Sequence, residues 1–298
     1  MKTADKARGK WRGILVSLGV DQKYLNGKHG PCPFCEGRDR FRWDNDKGSG
    51  SFFCSQCGAG DGFEMVCRLK GWPFKEVAEK VDEIVGGVKA EPVKDRDNRN
   101  DRDRLRDLWA SSKPLADGDL AWAYLTGRKA LPAKVPSCLR YAPHCRAPDG
   151  SSWPTLIALV TDPVGQPATI HRTFLGTQGK ADMVNPRALM PGPLPDGSAV
   201  RLYDPVGTTL GIAEGIETAV RAAKRFRVPV WASLTAGNMV KFEPPQGIEN
   251  VMVFGDCDHN YTGQASAYAL ANRLVARRKL KAEVHIPTVL GMDWADIE

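Results

Sequence analysis

Four cysteines fall in two C-x-x-C pairs, Cys32 with Cys35 and Cys54 with Cys57, separated by eighteen residues. Two such knuckles offer four soft thiolates in tetrahedral geometry, a donor set that suits zinc and leaves no open coordination position, so the metal is expected to be architectural. His29 precedes the first pair and reads as an exposed loop residue, with substitution for one cysteine as the alternative; Cys67 reads as a helix-face thiol, and Cys138, Cys145 and Cys257 as structural or incidental. A second set of chemical groups lies far downstream, where Glu214 precedes Gly215 and Asp256 and Asp258 stand two apart. In extended backbone the two aspartates point to one side. Clustered carboxylates need a hard cation, and Mg²⁺ or Mn²⁺ shared with substrate phosphates is the expected partner.

The elements that must position these groups are legible in the apolar pattern. Trp11, Ile14, Leu15 and Leu18 repeat at helical spacing, and Glu64 to Val85 reads as helix interrupted at Gly71-Trp72-Pro73. Between the cysteine pairs, Arg38-Asp39-Arg40-Phe41-Arg42-Trp43 alternates, with Arg40 and Arg42 on one strand face and Phe41 and Trp43 on the other; Phe52 and Phe53 return opposite. Arg38, Arg40 and Arg42 suit phosphates and Trp43 suits an unpaired base, as on a single-strand-binding surface, although aromatics here also serve to cover a small metal core. Residues 88–104 hold almost no apolar side chains and read as a charged, flexible linker leading into a helix at Leu105. Helix is expected again at Leu120–Leu125, strands at Leu156–Val160 and Ala168–Phe174, and loops through the Pro- and Gly-rich stretch from Pro186 to Gly207. From Thr208 on, apolar strands (Thr209–Ala213, Val230–Leu234, Val251–Phe254, Ala282–Ile286) alternate with amphipathic helices, which implies a mostly parallel sheet with functional groups at its carboxyl ends. Glu214, Asp256 and Asp258 fall at such ends.

The chain of 298 residues has 42 Lys and Arg against 35 Asp and Glu, a formal charge of +7 that favours a polyanionic partner. No stretch approaches the ~20 apolar residues of a membrane span, and cysteine pairs of this kind suit a reducing compartment; a cytoplasmic, soluble protein is expected.

Gly211-Ile212-Ala213-Glu214-Gly215-Ile216-Glu217-Thr218-Ala219 followed by Val253-Phe254-Gly255-Asp256-Cys257-Asp258 resembles the two signatures of the TOPRIM domain of primases, topoisomerases and some nucleases. Lys28–Cys35, Asp39–Arg42 and Cys54–Gly62 resemble the zinc ribbon of phage and plasmid primase-helicases. Together these identify the chain as similar to zinc-ribbon/TOPRIM DNA primases without the helicase part. The resemblance implies an α/β fold: a TOPRIM-type mostly parallel sheet flanked by helices, preceded by a mixed α+β basic subdomain and a small N-terminal β zinc ribbon. The implied divisions are 1–87 for the ribbon with its helices, 88–104 for the linker, 105–206 for the basic subdomain and 207–298 for the catalytic TOPRIM domain.

The same resemblance implies synthesis of short RNA primers on single-stranded DNA from NTPs. Glu214 then matches the catalytic glutamate, Asp256 and Asp258 the metal-binding pair, and Arg128, the segment His171-Arg172-Thr173, Lys180 and Arg187 line the nucleotide or template path. Asp293-Trp294-Ala295-Asp296 resembles a D-W-x-D of related proteins, where Asp293 adds a further acid or caps a terminal turn. No G-x-x-x-x-G-K-S/T loop occurs in the sequence, so a helicase motor is expected to be a separate partner. The rivals are a metal-dependent nuclease, in which the same acids activate water, and a non-catalytic single-strand-binding accessory of replication; a topoisomerase would require a far larger strand-gating architecture.

Overall fold

Short strands with inward aromatics open the architecture: β1 (Phe41–Trp43), β2 (Phe52–Cys54) and β3 (Gly58–Gly60) form an antiparallel three-stranded sheet. The computed structural model describes residues 2–54, 56–92, 98–192 and 194–297, and the chain divides into two units, Met1–Asp97 and Asn98–Glu298. In the first unit the register pairs Phe41 with Cys54, Arg42 with Phe53 and Trp43 with Phe52. Because side chains alternate across a strand, Phe41, Trp43, Phe52 and Cys54 are buried while Arg42 and Phe53 face outward. The Phe41 and Phe52 rings stack with centroids 5.6 Å apart.

The same core continues into four helices, α1 (Thr3–Ala7), α2 (Trp11–Ser17), α3 (Gly62–Lys70) and α4 (Phe74–Val85). Asp61 caps α3 by accepting the Glu64 amide at 2.9 Å. The first residue of α3 is Gly62 for a steric reason: a Cβ there would sit 2.1 Å from the Trp11 ring.

The second unit begins with α5 (Asn98–Ser111), so helix starts inside the stretch that composition assigns to a linker. Ion pairs at i and i+3 accompany it, Asp103 with Arg106 exposed and Asp101, itself buried, with Arg104, and Leu105, Leu108 and Trp109 pack on a buried cluster that includes Ile170 and Phe174. Tertiary packing thus overrides poor local hydrophobicity. Residues 93–97 of the expected linker lie outside the described residues.

After β4 (Lys113–Pro114) and α6 (Leu120–Gly127), an antiparallel sheet is built from β5 (Leu139–Arg146), β6 (Ser152–Thr161), β7 (Pro167–Gly176) and β8 (Gly179–Lys180), with β9 (Arg187–Leu189) also paired to β7. β5 escapes sequence reading because Pro143 interrupts it; the register slips between Ala142 and Cys145, where a residue without an N–H is tolerated.

A parallel sheet follows: β10 (Thr209–Ala213), α7 (Ile216–Phe226), β11 (Val230–Ala232), α8 (Ala236–Met239), β12 (Asn250–Phe254), α9 (Thr262–Arg278) and β13 (Lys281–His285). Its strand order is β11-β10-β12-β13, all parallel. Ala213 and Phe254 pack with Ile216, Ala219 and Val220 of α7, whereas Leu210, Ile212, Val251 and Val253 pack with Ala267, Leu270 and Leu274 of α9. The two sheets of this unit share a core, since Leu125, Leu139, Leu156 and Val160 belong to the cluster of Ala213 and Phe254, and Val200 bridges to Ala232. The boundary expected at 206/207 is therefore crossed by packing. Among the described residues no helix is long and apolar enough to cross a membrane.

Candidate metal centres and catalytic cleft

The Sγ atoms of Cys32, Cys35, Cys54 and Cys57 all lie within 4.8 Å of one another, with 3.9 Å between Cys32 and Cys57 and 3.8 Å between Cys35 and Cys54. Four zinc–sulfur legs of about 2.3 Å in a tetrahedron require edges of about 3.8 Å, so the thiols are spaced for zinc. Phe34 and Cys57 direct their amides at the Cys32 and Cys54 sulfurs, each at 3.4 Å. His29 is not in this cluster; its Nε2 lies 3.2 Å from an Arg42 nitrogen.

In the second unit, β10 connects onward to β11 on one side while β12 and β13 lie on the other. Such a switch in direction opens a crevice at the carboxyl ends of the central strands. Glu214 directly follows β10, and Asp256 lies two residues beyond β12; they line a cleft of about 70 Å³ together with Asp293, Arg128, His171, Arg187 and Glu217. Leu234 closes its rim in a left-handed conformation (φ 71°), its amide donating to the Glu214 carbonyl at 2.8 Å. A non-glycine residue held there is strained, and such strain clusters at functional sites.

The Asp256 carboxyl is pushed up to about 8, first by burial and then by the neighbouring Glu214, Asp293 and Asp258 carboxylates, against the opposing pull of Arg187. Its Oδ1 is buried with no hydrogen-bond partner among the described residues. A buried carboxylate oxygen left without a donor and surrounded by like charge fits a cation ligand. These acids do not form a closed cage: among the described residues only the four cysteines bring three or more ligand atoms within 4.8 Å. An open set of carboxylates suits a hard divalent ion that keeps waters and shares substrate oxygens.

Three family models match the chain: the zinc-binding domain of primase-helicase over residues 27–63, a domain of unknown function (DUF7146) over 99–202, and the Toprim domain over 209–298. The chain joins a primase-type zinc ribbon to a Toprim domain. Among solved structures it is similar to the Aquifex aeolicus primase (zinc-binding and RNA polymerase domains), with 15% identity, coverage of 99% of this chain and 81% of that one, and a TM-score of 0.43. It is also similar to the primase fragment of the bacteriophage T7 primase-helicase, with 15% identity, coverage of 90% and 93% respectively, and a TM-score of 0.40.

The Toprim acids divide into two groups. Glu214, Asp256 and Asp293 line the cleft, whereas Asp258 Oδ2 accepts the Gly263 amide at 2.8 Å at the start of α9, which draws that oxygen toward a capping role. The D-W-x-D segment fills both roles open to it. Asp293 enters the cleft while its Oδ1 also accepts the Ala295 amide. Trp294 anchors the turn, donating its indole N–H to the His285 carbonyl at 3.1 Å, and Asp296 pairs with Arg128 at 3.2 Å.

Two expected contact residues are corrected. Trp43 is 3% exposed and packed in the ribbon core, so it offers no face for a base; the outward aromatic is Phe53, cross-strand from Arg42. Arg172 is 5% exposed and donates to the carbonyls of Arg146 (2.8 Å) and Leu189 (2.9 Å), which makes it a brace for β9. Strand alternation separates the two neighbours of that expected segment: His171, beside Arg172 on β7, is the one that lines the cleft. Burial first and then Arg187 push the His171 imidazole down to about 4, so it is neutral at neutral pH. Arg38 and Arg40 are exposed on the ribbon, Arg40 bonding the Gln56 side chain, and Arg42 pairs with Asp44.

Glu217 was masked from sequence reading by its position inside an amphipathic helix. It is 6% exposed, and one oxygen gathers Arg187 Nη2 at 3.1 Å, Lys180 Nζ at 3.9 Å and the Tyr124 hydroxyl. Burial would raise this carboxyl, but Arg187, the Tyr124 hydroxyl and Lys180 outweigh it and hold it at about 2, against 4.5 for the free side chain. A depressed carboxyl stabilises the folded state above the unfolded value and loses that contribution as pH falls through the folded one. Urea unfolding between pH 5 and pH 2 should therefore show wild type losing on the order of 3 kcal/mol more than Glu217→Gln. Parallel curves for the two proteins would contradict the assignment.

Gly263 also has a site role. A Cβ there would lie 2.5 Å from the Asp256 carbonyl oxygen and 3.0 Å from Asp256 Cβ. Gly263→Ala must push α9 and the Asp256 segment apart, so divalent-cation affinity should fall at least about tenfold while the ribbon's zinc content is unchanged; calorimetric Mn²⁺ titration beside a zinc assay checks this.

Proposed function

We propose that this protein is a DNA primase that makes short RNA primers on single-stranded DNA by divalent-metal-dependent nucleotidyl transfer. The observation that carries the reading is the Toprim cleft itself: Glu214, Asp256 and Asp293 line it together with Arg128 and Arg187, and Asp256 Oδ1 is buried with no hydrogen-bond partner among the described residues. The primase-type zinc ribbon in the same chain supports a template-reading partner for that cleft.

In this reading the 3′-hydroxyl of one nucleotide attacks the α-phosphorus of the next; the new O–P bond forms as the bond to the leaving pyrophosphate breaks. A divalent ion, Mg²⁺ or Mn²⁺, would neutralise charge on the attacking and leaving oxygens. Asp256 and Asp293 would hold it, with Asp258 contributing its free oxygen, and Glu214 would receive the hydroxyl proton or orient the ligand set. Arg128, Arg187 and Lys180 would take the negative charge of the phosphates, and neutral His171 lines the same cleft. On the ribbon, Arg38, Arg40, Arg42 and the half-buried Phe53 ring would offer a basic surface suited to a few unpaired nucleotides. Unwinding would fall to a separate replicative helicase.

The test is incubation of the protein with single-stranded DNA of varied sequence, labelled NTPs and Mg²⁺ or Mn²⁺. Short template-dependent oligoribonucleotides support the reading. Degradation of the template in their place would make the chain a nuclease, and binding without either product would make it an accessory.

A further inference from the structure

The convergence on Glu217 is costly and needs a purpose. Removing a carboxylate from water is unfavourable unless it is fully compensated, and here the compensation comes from three different elements: Tyr124 on α6, Lys180 on β8 and Arg187 on β9. Glu217 itself is on α7, one turn from Glu214. The Glu217 side chain is 8% exposed, yet those of Arg187 and Lys180 remain 47% and 32% exposed. Each cation is thus tied at one side and open at the other, and Arg187 lines the cleft. Two cations drawn to one oxygen repel each other; the buried negative charge between them is what keeps them together. Arginine's planar fork can serve the carboxylate with one edge and a phosphate with the other.

We propose that Glu217, fixed by the Tyr124 hydroxyl, is a positioning residue that holds Arg187 and Lys180 as a paired clamp for the phosphate chain of an incoming nucleoside triphosphate. This rests on the primase reading above. Glu217 touches no reacting atom. Its effect is to preset the spacing of the two cations, so that binding the polyphosphate requires little rearrangement.

The test measures binding apart from synthesis. ATP and inorganic tripolyphosphate are titrated calorimetrically into the full chain, for wild type, Glu217→Gln, Glu217→Asp, Tyr124→Phe, Arg187→Met and the double variant Glu217→Gln/Arg187→Met. Glu217→Gln should weaken both ligands about tenfold or more, raise the nucleotide KM by a similar factor and leave kcat at saturation within about threefold. Glu217→Asp and Tyr124→Phe should fall between it and wild type. In the double variant the Glu217 substitution should cost less than it does alone, because only Lys180 is left for it to position.

Circular dichroism and zinc content identify misfolding, and if Glu217→Gln misfolds, Tyr124→Phe carries the test alone, with unchanged affinity overturning the proposal. Unchanged affinity in a folded Glu217→Gln, or additive losses in the double variant, would also overturn it. Failure of wild type to bind ATP would instead overturn the primase reading, and this proposal with it, whereas binding that ignores Glu217 leaves that reading standing.

Discussion

In the primase proposed above, replacing Asp256 with asparagine should cut nucleotidyl transfer severely and at the same time make the metal-free chain more stable at neutral and alkaline pH. Both effects have one origin. The carboxyl is pushed up to about 8 by burial and by Glu214, Asp293 and Asp258, so the folded state holds a proton that the unfolded state has released above about pH 4. The sign follows from linkage: folding stability falls as pH rises from the unfolded to the folded value, and the full penalty is present above it. Asparagine carries no such charge, so at pH 8.5 without divalent cations the variant should gain a few kcal/mol in urea unfolding. Mg²⁺ or Mn²⁺ should stabilise wild type and leave the variant nearly unmoved. Primer synthesis should drop by roughly three orders of magnitude, as when a preorganised electrostatic group is removed. A variant less stable than wild type at pH 8.5 would refute the crowded-carboxylate account, and retained synthesis would remove Asp256 from the reacting centre.

The second large effect concerns the ribbon. Cys54→Ser, or chelation of the wild-type chain, should remove one zinc and collapse the first unit while leaving the second folded. Structural zinc contributes apparent binding free energy on the order of 10 kcal/mol, more than a small ribbon's core can replace. The collapse should not stop at the knuckles. Cys32, Cys54, Phe41 and Phe52 belong to one buried cluster with Trp11, Phe63, Met65, Val77 and Val81, so the helices lose a wall when the sheet opens. Hydrogen exchange followed by mass spectrometry reads this directly: amides in α2, α3 and α4 should become fast, and those in β10 and β12 should not. Persistent protection in α3 after zinc loss would show that the metal is dispensable to the unit.

Both predictions rest on residues that were legible before any coordinates. The cysteine spacing names the zinc ligands because four thiolates at a fixed interval have few other uses. The β10–α7 and β12–α9 alternation puts Glu214 and Asp256 at strand ends because a parallel sheet leaves its chemistry nowhere else. What sequence reading missed was decided by orientation and long-range contact. His171 and Arg172 are adjacent, and only the phase of β7 tells which one enters the cleft. Trp43 and Phe53 are both aromatic ribbon residues, and only the pleat separates core from face. That one Asp258 oxygen accepts the Gly263 amide at the start of α9 depends on the turn the backbone takes after Phe254. Glu217 stands inside the TOPRIM-like segment, but its role shows only in the fold, since its three partners are 30 to 93 residues away.

The core shared by the two sheets of the second unit also governs how this chain is made. Leu139, Leu156 and Val160 emerge from the ribosome well before Ile216, Val220 and Phe254, the residues they pack with. About ninety residues separate Val160 from Phe254, and at ~5–20 residues per second their synthesis takes roughly 5 to 20 s. Throughout that interval the part of the apolar sheet face that α6 does not cover lacks its later partners, which makes this stretch a natural client for a holding chaperone.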